Sequence, residues 1–213
     1  MLRGKKILIT SGPTRARLDA VRYLTNVSTG RFGSLLAAEA RRRGASVTFI
    51  YGKGSERLQT DRCLEAVTHA DVEKILKREL KRGRYDVVIH AMAVLDFAPA
   101  VVRKTKTASR GGGWTLRLKP SPKIIAKIKK WAPDVLLVGF KLEAGVTQTE
   151  LLQRARRLLK ESRADFVLAN QLTEGDDAKH NGWLLDKMGK VIGKARGKKP
   201  LAKLIFSALE KGV

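Results

Sequence analysis

The 213-residue chain has one cysteine, three histidines and an aromatic content of only 6%. A single cysteine, Cys63, excludes an internal disulfide framework and any zinc site built on several thiolates. No histidine except His69 stands near it, so an ordinary helix or loop position suits it better than a nucleophile's. Acidic residues are also scarce: 20 Asp and Glu stand against 44 Lys and Arg, for a formal net charge of +24. That excess attracts polyanions, from nucleic acid and nucleotides to phosphorylated substrates and acidic membranes, although a solvated basic surface would give the same total. No apolar run approaches the ~18 residues needed to cross a bilayer. The opening Met-Leu-Arg-Gly-Lys-Lys leads into a strand without a signal-peptide cleavage site, so a soluble cytoplasmic protein with no membrane partner is expected. Neither a G-x-G-x-x-G turn directly after the first strand nor a G-x-x-x-x-G-K-[ST] loop is present, and no Tyr is followed four places later by Lys. These omissions weigh against a nicotinamide enzyme and a P-loop NTPase.

What the chain does contain is a regular alternation. Lys6-Ile7-Leu8-Ile9-Thr10 is a short apolar run that reads as a buried strand. A loop is expected from Ser11 to about Thr29. Phe32, Leu35, Leu36, Ala37 and Ala40 then mark one face of a helix, with Arg41 to Arg43 favouring its C-terminal dipole. Val47 to Tyr51 is the next strand, completing a βαβ unit. The pattern continues with a helix over Val72 to Leu80, a strand from Asp86 to His90, a short strand around Trp114 to Leu118 and a helix from about Pro122 to Trp131. Val135 to Phe140 follows as a strand, and Thr147-Gln148-Thr149-Glu150 as a capping box opening a helix to about Ser162. Asp165 to Ala169 is a strand, Gly182 to Leu185 and Lys190 to Ile192 form a hairpin around Met188-Gly189, and Ala202 to Leu209 is a final helix. The fold class is therefore α/β: a Rossmann-like, doubly wound, mostly parallel sheet with a small antiparallel hairpin or edge. No linker interrupts it, so residues 1–213 are expected to form one domain. Between Phe97 and Pro133 lie ten Lys or Arg and no acid, together with Gly111, Gly112 and Gly113. That composition marks a flexible basic flap at about residues 100–114.

Open α/β sheets bind ligands beyond the carboxyl ends of their strands, and four such ends are chemically loaded here. The first runs from Ser11-Gly12-Pro13-Thr14-Arg15 to Asn26-Val27-Ser28-Thr29-Gly30. A glycine-rich entry to a helix offers unpaired backbone N–H groups to an anion. Ser28 and Thr29 add hydroxyls, and Asn26 offers donor and acceptor together. An ordinary N-cap and turn is the plainer reading of any one of these residues, less so of the cluster. The second end is Ala91 to Phe97. Its small residues, Ala93 among them, allow a flat ligand close to the backbone. Asp96 can accept from a base amino group, a ribose hydroxyl or a metal-bound water, or simply form a solvated turn. The third is Arg103, Lys104 and Lys106 of the flap, where alternate lysines share a side and can neutralise a triphosphate; a solvated basic loop is the alternative. The fourth is Gly139 to Glu143, where Phe140 can pack on a base or belong to the core.

Taken together these stretches resemble the phosphopantothenoylcysteine synthetase family, the ligase half of the DNA/pantothenate metabolism flavoproteins. "ITSGPTRARLDAVRYLTNVSTGRFG" is similar to that family's opening run, "AVLDF" to its Ala-Val-x-Asp-Tyr/Phe segment, "RKTK" to its flap lysines, and "VGFKLEA" and "ADFVLAN" to two later strand ends. The matches extend from about residue 6 to 171. The resemblance implies nucleotide-dependent ligation of 4'-phosphopantothenate to L-cysteine in coenzyme A biosynthesis. A nucleoside triphosphate, carried with Mg2+, activates the carboxylate as an acyl nucleotidylate, and the amine of cysteine then displaces the nucleoside monophosphate. Asn26 would hold the carboxylate or the acyl nucleotidylate. Gly12, Pro13, Thr14, Ser28, Thr29, Gly30 and Ala93 would cradle the nucleotide, Asp96 would orient it and Phe140 would line its pocket. Lys104 and Lys106 would act in catalysis by closing over the triphosphate. No metal ligands are implied. Members are often fused to a flavin-dependent decarboxylase. This chain is too short for one, so no flavin is expected and it resembles the stand-alone ligase. Family members are dimers, which implies a homodimer. CTP-using bacterial members carry two lysines, four apart, just before the strand represented here by Asp165 to Ala169. Leu158 and Ser162 occupy those places, which favours ATP over CTP.

Two rival readings follow from the residues. A Rossmann-like first βαβ unit allows an NAD(P)-dependent reductase, and fold alone does not decide function. A charge of +24 allows a nucleic-acid-binding protein with steep salt dependence, but few aromatics and no RNA-binding run or zinc-finger spacing argue against it.

Overall fold

The apolar run at the start of the chain becomes the centre of the molecule. In the computed structural model, which describes residues 2–110, 112–172 and 180–212, β1 (Lys6–Ser11) is buried along all but its first residue. Gly111, one of the flap glycines, lies outside the described residues. The connection that follows holds two three-residue strands, β2 (Arg15–Arg17) and β3 (Tyr23–Thr25), paired antiparallel. It is therefore a short ribbon, where the sequence suggested only loop. Three-residue strands of polar alternation carry too little periodicity to be seen in advance.

The remaining elements in chain order are α1 (Arg31–Arg42), β4 (Ser46–Gly52), β5 (Arg62–Ala66), α2 (His69–Arg82), β6 (Val87–His90), β7 (Phe97–Pro99), β8 (Leu118–Pro120), α3 (Ile125–Trp131), β9 (Leu136–Glu143), α4 (Gln148–Ser162), β10 (Phe166–Gln171), β11 (Asn181–Asp186), β12 (Val191–Arg196) and α5 (Lys198–Leu209). Thr147 and Glu150 form the expected capping box of α4, and Thr68 with Asp71 forms a second one that opens α2. The strand expected around Trp114 to Leu118 is displaced: β8 begins at Leu118 and pairs with β7. The edge strand β5 was not anticipated, because its Arg-Cys-Leu-Glu-Ala sequence neither alternates nor runs apolar.

Eight strands form one sheet in the order β12-β11-β10-β9-β6-β1-β4-β5. β5, β4, β1, β6, β9 and β10 are parallel; β11 and β12 form the antiparallel edge. The chain winds from β1 outward to β4 and β5, then returns to β6 on the other side. The reversal opens a crevice at the carboxyl ends of β1 and β6, where doubly wound sheets take their ligands.

Helices cover both faces. Leu36, Ala37 and Ala40 of α1 pack with Leu201, Ile205 and Phe206 of α5 on one side of the sheet. Val72 and Leu76 of α2, Ile125 and Ile128 of α3, and Leu151 and Ala155 of α4 pack on the other. Each fully buried Leu, Ile or Phe contributes roughly 1.5–3 kcal/mol relative to exposure. Arg43 ties the α1–α5 pair together at its end, with an ion pair to Glu210 at 2.6 Å and its guanidinium 6.0 Å from the Phe206 ring.

Candidate functional site

At the crevice the two loops leaving β1 and β6 are bonded as if the sheet continued. Ala93 N–H donates to the Gly12 carbonyl (2.9 Å), Thr14 N–H donates to the Ala93 carbonyl (3.2 Å), and Pro13 faces Ala93 in a parallel bridge. The buried Thr14 hydroxyl accepts from Leu95 N–H at 2.9 Å. Gly12, Pro13, Thr14 and Ala93 thus form one rigid floor. Asn26, just past β3, is fixed to it: its Nδ2 donates to the Ala93 carbonyl at 3.0 Å. Among the described residues the carboxamide oxygen and the second N–H have no partner.

The wall is the start of α1. Its N-cap, Gly30, sits at φ 81° in the left-handed region and has no side chain with which to cap the helix. The first amides of a helix have no partner within it and carry the positive end of its dipole. Ser11 Oγ holds the Gly30 carbonyl at 2.9 Å, and Gly33 lets the helix press onto the end of β1. A Cβ at residue 33 would stand 2.0 Å from Ser11 Oγ, so only glycine permits this approach. The Thr29 hydroxyl accepts from Arg31 N–H at 3.3 Å, and Ser28 is half-buried. Asn26, Ser28 and Thr29 share a concavity of about 420 Å³ with Arg15 and Lys53. The long β1–α1 connection, with its ribbon, leaves no room for the tight dinucleotide turn of a nicotinamide enzyme.

Asp96, Phe140, Lys104 and Lys106 are not among the residues that line this concavity. Asp96 is exposed and ion-paired with Lys123, an equally exposed partner that gives the pair little strength. Phe140, half-buried at the carboxyl half of β9, meets Phe32 of α1 edge-on with ring centroids 5.6 Å apart. Lys104 and Lys106 are exposed and make no bond among the described residues. Among the described residues no three His, Cys, Asp or Glu are placed to hold a metal ion.

Three further groups are given no role by the sequence. Asn170, buried at the end of β10, has its Nδ2 2.7 Å from His180 Nε2, while its Oδ1 is buried without a partner among the described residues. His180 lies 6.3 Å from the Phe32 ring. The rule that ligands sit at strand ends could have found Asn170, which closes the "ADFVLAN" strand. His90, at the end of β6, is buried with Nδ1 2.8 Å from Thr10 Oγ1, and burial lowers its pKa to about 4. It is neutral in the working range. Asp19, 1% exposed, closes the turn between β2 and β3. Burial opposes its ionisation, but N–H donors from Val21, Thr107 and Arg22 and the Arg22 guanidinium outweigh it. Its carboxyl therefore titrates well below the usual carboxylate range.

A second concavity, of about 440 Å³, lies between the end of α4 and the β11–β12 turn and shares no lining residue with the first.

The family described as the DNA/pantothenate metabolism flavoprotein C-terminal domain matches residues 2–212. The Coenzyme A biosynthesis bifunctional protein CoaBC of Thermococcus kodakarensis is 41% identical over 171 residues, covering 80% of this chain and 42% of that protein. The chain thus spans less than half the length of this relative. The crystal structure of the DNA/pantothenate metabolism flavoprotein from Streptococcus pneumoniae superposes with a TM-score of 0.88 at 28% identity, covering 99% of this chain and 100% of that one. The C-terminal domain of a CoaBC protein superposes with a TM-score of 0.79 at 27% identity, covering 98% and 95%.

Proposed function

Because the chain belongs to the DNA/pantothenate metabolism flavoprotein C-terminal domain family, we propose that it ligates 4'-phosphopantothenate to cysteine with a nucleoside triphosphate, in coenzyme A biosynthesis. The observation that carries this reading is the carboxamide of Asn26, held on the Ala93 carbonyl beside the glycine-capped start of α1. A fixed polar group for a carboxylate thus stands next to a set of donors for a phosphate.

Two displacements make up the reaction. A carboxylate oxygen of 4'-phosphopantothenate attacks the α-phosphorus, and pyrophosphate leaves with its electron pair. The amine of cysteine then attacks the acyl carbon, loses a proton and expels the nucleoside monophosphate. Neither step needs a nucleophilic side chain. Both need reactants held in line and negative charge neutralised as it builds. Asn26 positions the carboxylate and then the acyl nucleotidylate. The amides at the start of α1, with the Ser28 and Thr29 hydroxyls and the backbone of Gly12 and Gly30, hold phosphate oxygens. Lys104 and Lys106 draw charge from the leaving pyrophosphate. Phe140 forms a wall of the nucleotide pocket, with Asn170 beside it, and Asp96 orients the nucleotide once Lys123 is displaced. Mg2+ enters with the triphosphate as part of the substrate.

ATP is the favoured nucleotide. Where CTP users carry two lysines, Leu158 is apolar and Ser162 is buried, its hydroxyl bonded to the Leu158 carbonyl at 2.6 Å. Neither offers a cation. The chain acts as one ligase domain, in the cytoplasm; none of its described helices is long and apolar enough to cross a membrane. It works as a homodimer. Val21, Tyr23, Phe97, Val101 and Val102, all exposed around the β2–β3 and β7–β8 ribbons, form the apolar surface that a second copy covers.

The test mixes purified protein with 4'-phosphopantothenate, cysteine, magnesium and either nucleotide, and measures pyrophosphate. Release that requires 4'-phosphopantothenate and is faster with ATP is expected. No release with either nucleotide would overturn the ligase reading, and faster use of CTP would reverse the nucleotide.

A further inference from the structure

The flap lysines stand on a short loop whose two ends are held by a single turn elsewhere in the chain. Arg103 N–H donates to the Leu18 carbonyl at 3.0 Å. Four residues on, Thr107 N–H donates to Asp19 Oδ2 at 3.1 Å, and the Thr107 carbonyl accepts from Arg22 Nη1 at 3.2 Å. Both polar groups of the Thr107 peptide are therefore gripped from 19–22. The Arg103 guanidinium reaches across to the Thr107 hydroxyl (3.2 Å), and Trp114 lies between Arg103 and Arg22, with guanidinium-to-ring distances of 5.1 and 5.5 Å. Between the two anchors, Lys104 and Lys106 point to solvent.

Asp19 divides its carboxylate between two tasks. Oδ1 accepts from Val21 N–H (2.9 Å) and Arg22 N–H (2.8 Å), which closes its own turn. Oδ2 accepts from Arg22 Nη1 (2.8 Å) and from Thr107 N–H, 88 residues away. Closing a turn does not require a buried charge; a neutral Asn or an exposed Asp does it equally well. Burying a carboxylate is costly unless it is fully paired, and here the second oxygen serves the flap. The same turn leads through β3 into Asn26.

We propose that Asp19 is a positioning residue: its carboxylate latches the lysine-bearing loop 103–107 to the turn that precedes Asn26, so that the flap cations and the carboxamide share one frame. This rests on the reading of Lys104 and Lys106 as groups that act on the triphosphate. The latch stiffens the loop on which they stand without itself touching substrate.

Asp19→Asn separates the two tasks. The carboxamide oxygen can still accept from Val21 and Arg22 N–H, but its NH2 would face two donors, Thr107 N–H and Arg22 Nη1, and the latch would be repelled. Thr107→Pro removes the N–H from the other side and leaves the 19–22 turn as it is. In both variants tryptic cleavage of the native protein after Arg103 and Lys104, mapped by mass spectrometry, should accelerate about tenfold or more, as for a segment released to open locally. kcat per folded molecule should fall about tenfold or more while KM for cysteine stays within about twofold, the pattern of an interaction felt in the transition state. Unchanged cleavage in both variants overturns the latch. Faster cleavage with kcat intact overturns the positioning role. Lys104→Ala in the same assays distinguishes the two levels: if it too keeps full activity, the ligase reading of the flap fails, whereas if it loses activity while Asp19→Asn and Thr107→Pro do not, the latch alone fails.

Discussion

His90 makes the stability of this protein depend on pH in a range where carboxylates are silent. Its ring is buried at the end of β6, against Thr10, and burial alone pulls its pKa to about 4, against a model-peptide value of 6.5. Between those two values the unfolded chain binds a proton that the folded chain refuses. Stability is therefore full above pH 6.5 and is lost as pH falls towards 4. With each unit worth 1.36 kcal/mol, the loss between pH 7 and 5.5 comes to about 1 kcal/mol, and between pH 7 and 4 to about 3 kcal/mol. The depressed carboxylates, Asp19, Glu39 and Asp71 among them, add to the loss only as pH approaches the ordinary carboxylate range near 4. The interval from pH 7 to 5.5 thus isolates the histidine. Urea denaturation at 25 °C, at pH 7.0, 6.25 and 5.5, gives the slope. His90→Gln, which keeps an acceptor for Thr10, should be less stable overall but flatter across that interval by about 1 kcal/mol. Equal losses in the two proteins would mean that His90 is not buried neutral as described.

Three further outcomes follow from the crevice. Asn26→Ala removes the carboxamide on Ala93 and should lower product formation by about 100-fold or more, with nucleotide binding retained by equilibrium dialysis; an unchanged yield would remove Asn26 from the site. Lys104→Ala should slow pyrophosphate release by about 100-fold with the melting temperature unchanged, since the side chain is exposed and makes no bond among the described residues; wild-type rates would make the flap ordinary surface. In Gly33→Ala the new Cβ would meet Ser11 Oγ at 2.0 Å, so α1 must back away from β1. A stability loss of about 1–3 kcal/mol by denaturation, accompanied by weaker nucleotide binding, is expected, and a wild-type melt would show that the helix does not press on β1 as described.

The parts of the fold that could be read in advance are those where one physical signal dominates. The unbroken apolar runs of β1, β4 and β6 could be buried only on both faces of a parallel sheet, and α1 announced itself by its apolar stripe and its basic last turn. β5 and the β2–β3 ribbon escaped because each is held by neighbours rather than by its own pattern: Arg62 to Ala66 is a strand because β4 is beside it. The site divides in the same way. Gly12, Asn26, Ser28 and Gly30 were legible from residue type and spacing around one helix start. What Asp19 and Asn170 do was not, because it depends on burial and a distant partner, and neither is written in local sequence. Nor could spacing tell that Asp96 would be drawn to Lys123 or Phe140 to Phe32.

The last helix reaches back across the sheet to lie on the helix that opens the crevice. Phe206, Ile205 and Leu201 cover the apolar stripe of α1, and Glu210 pins its far end through Arg43. In chain order the residues proposed to grip phosphate come well before the support behind them: Leu201 follows Gly30 by 171 positions. A polypeptide cut before residue 198 would carry every group named in the reaction and still present them on a helix with one side open to water.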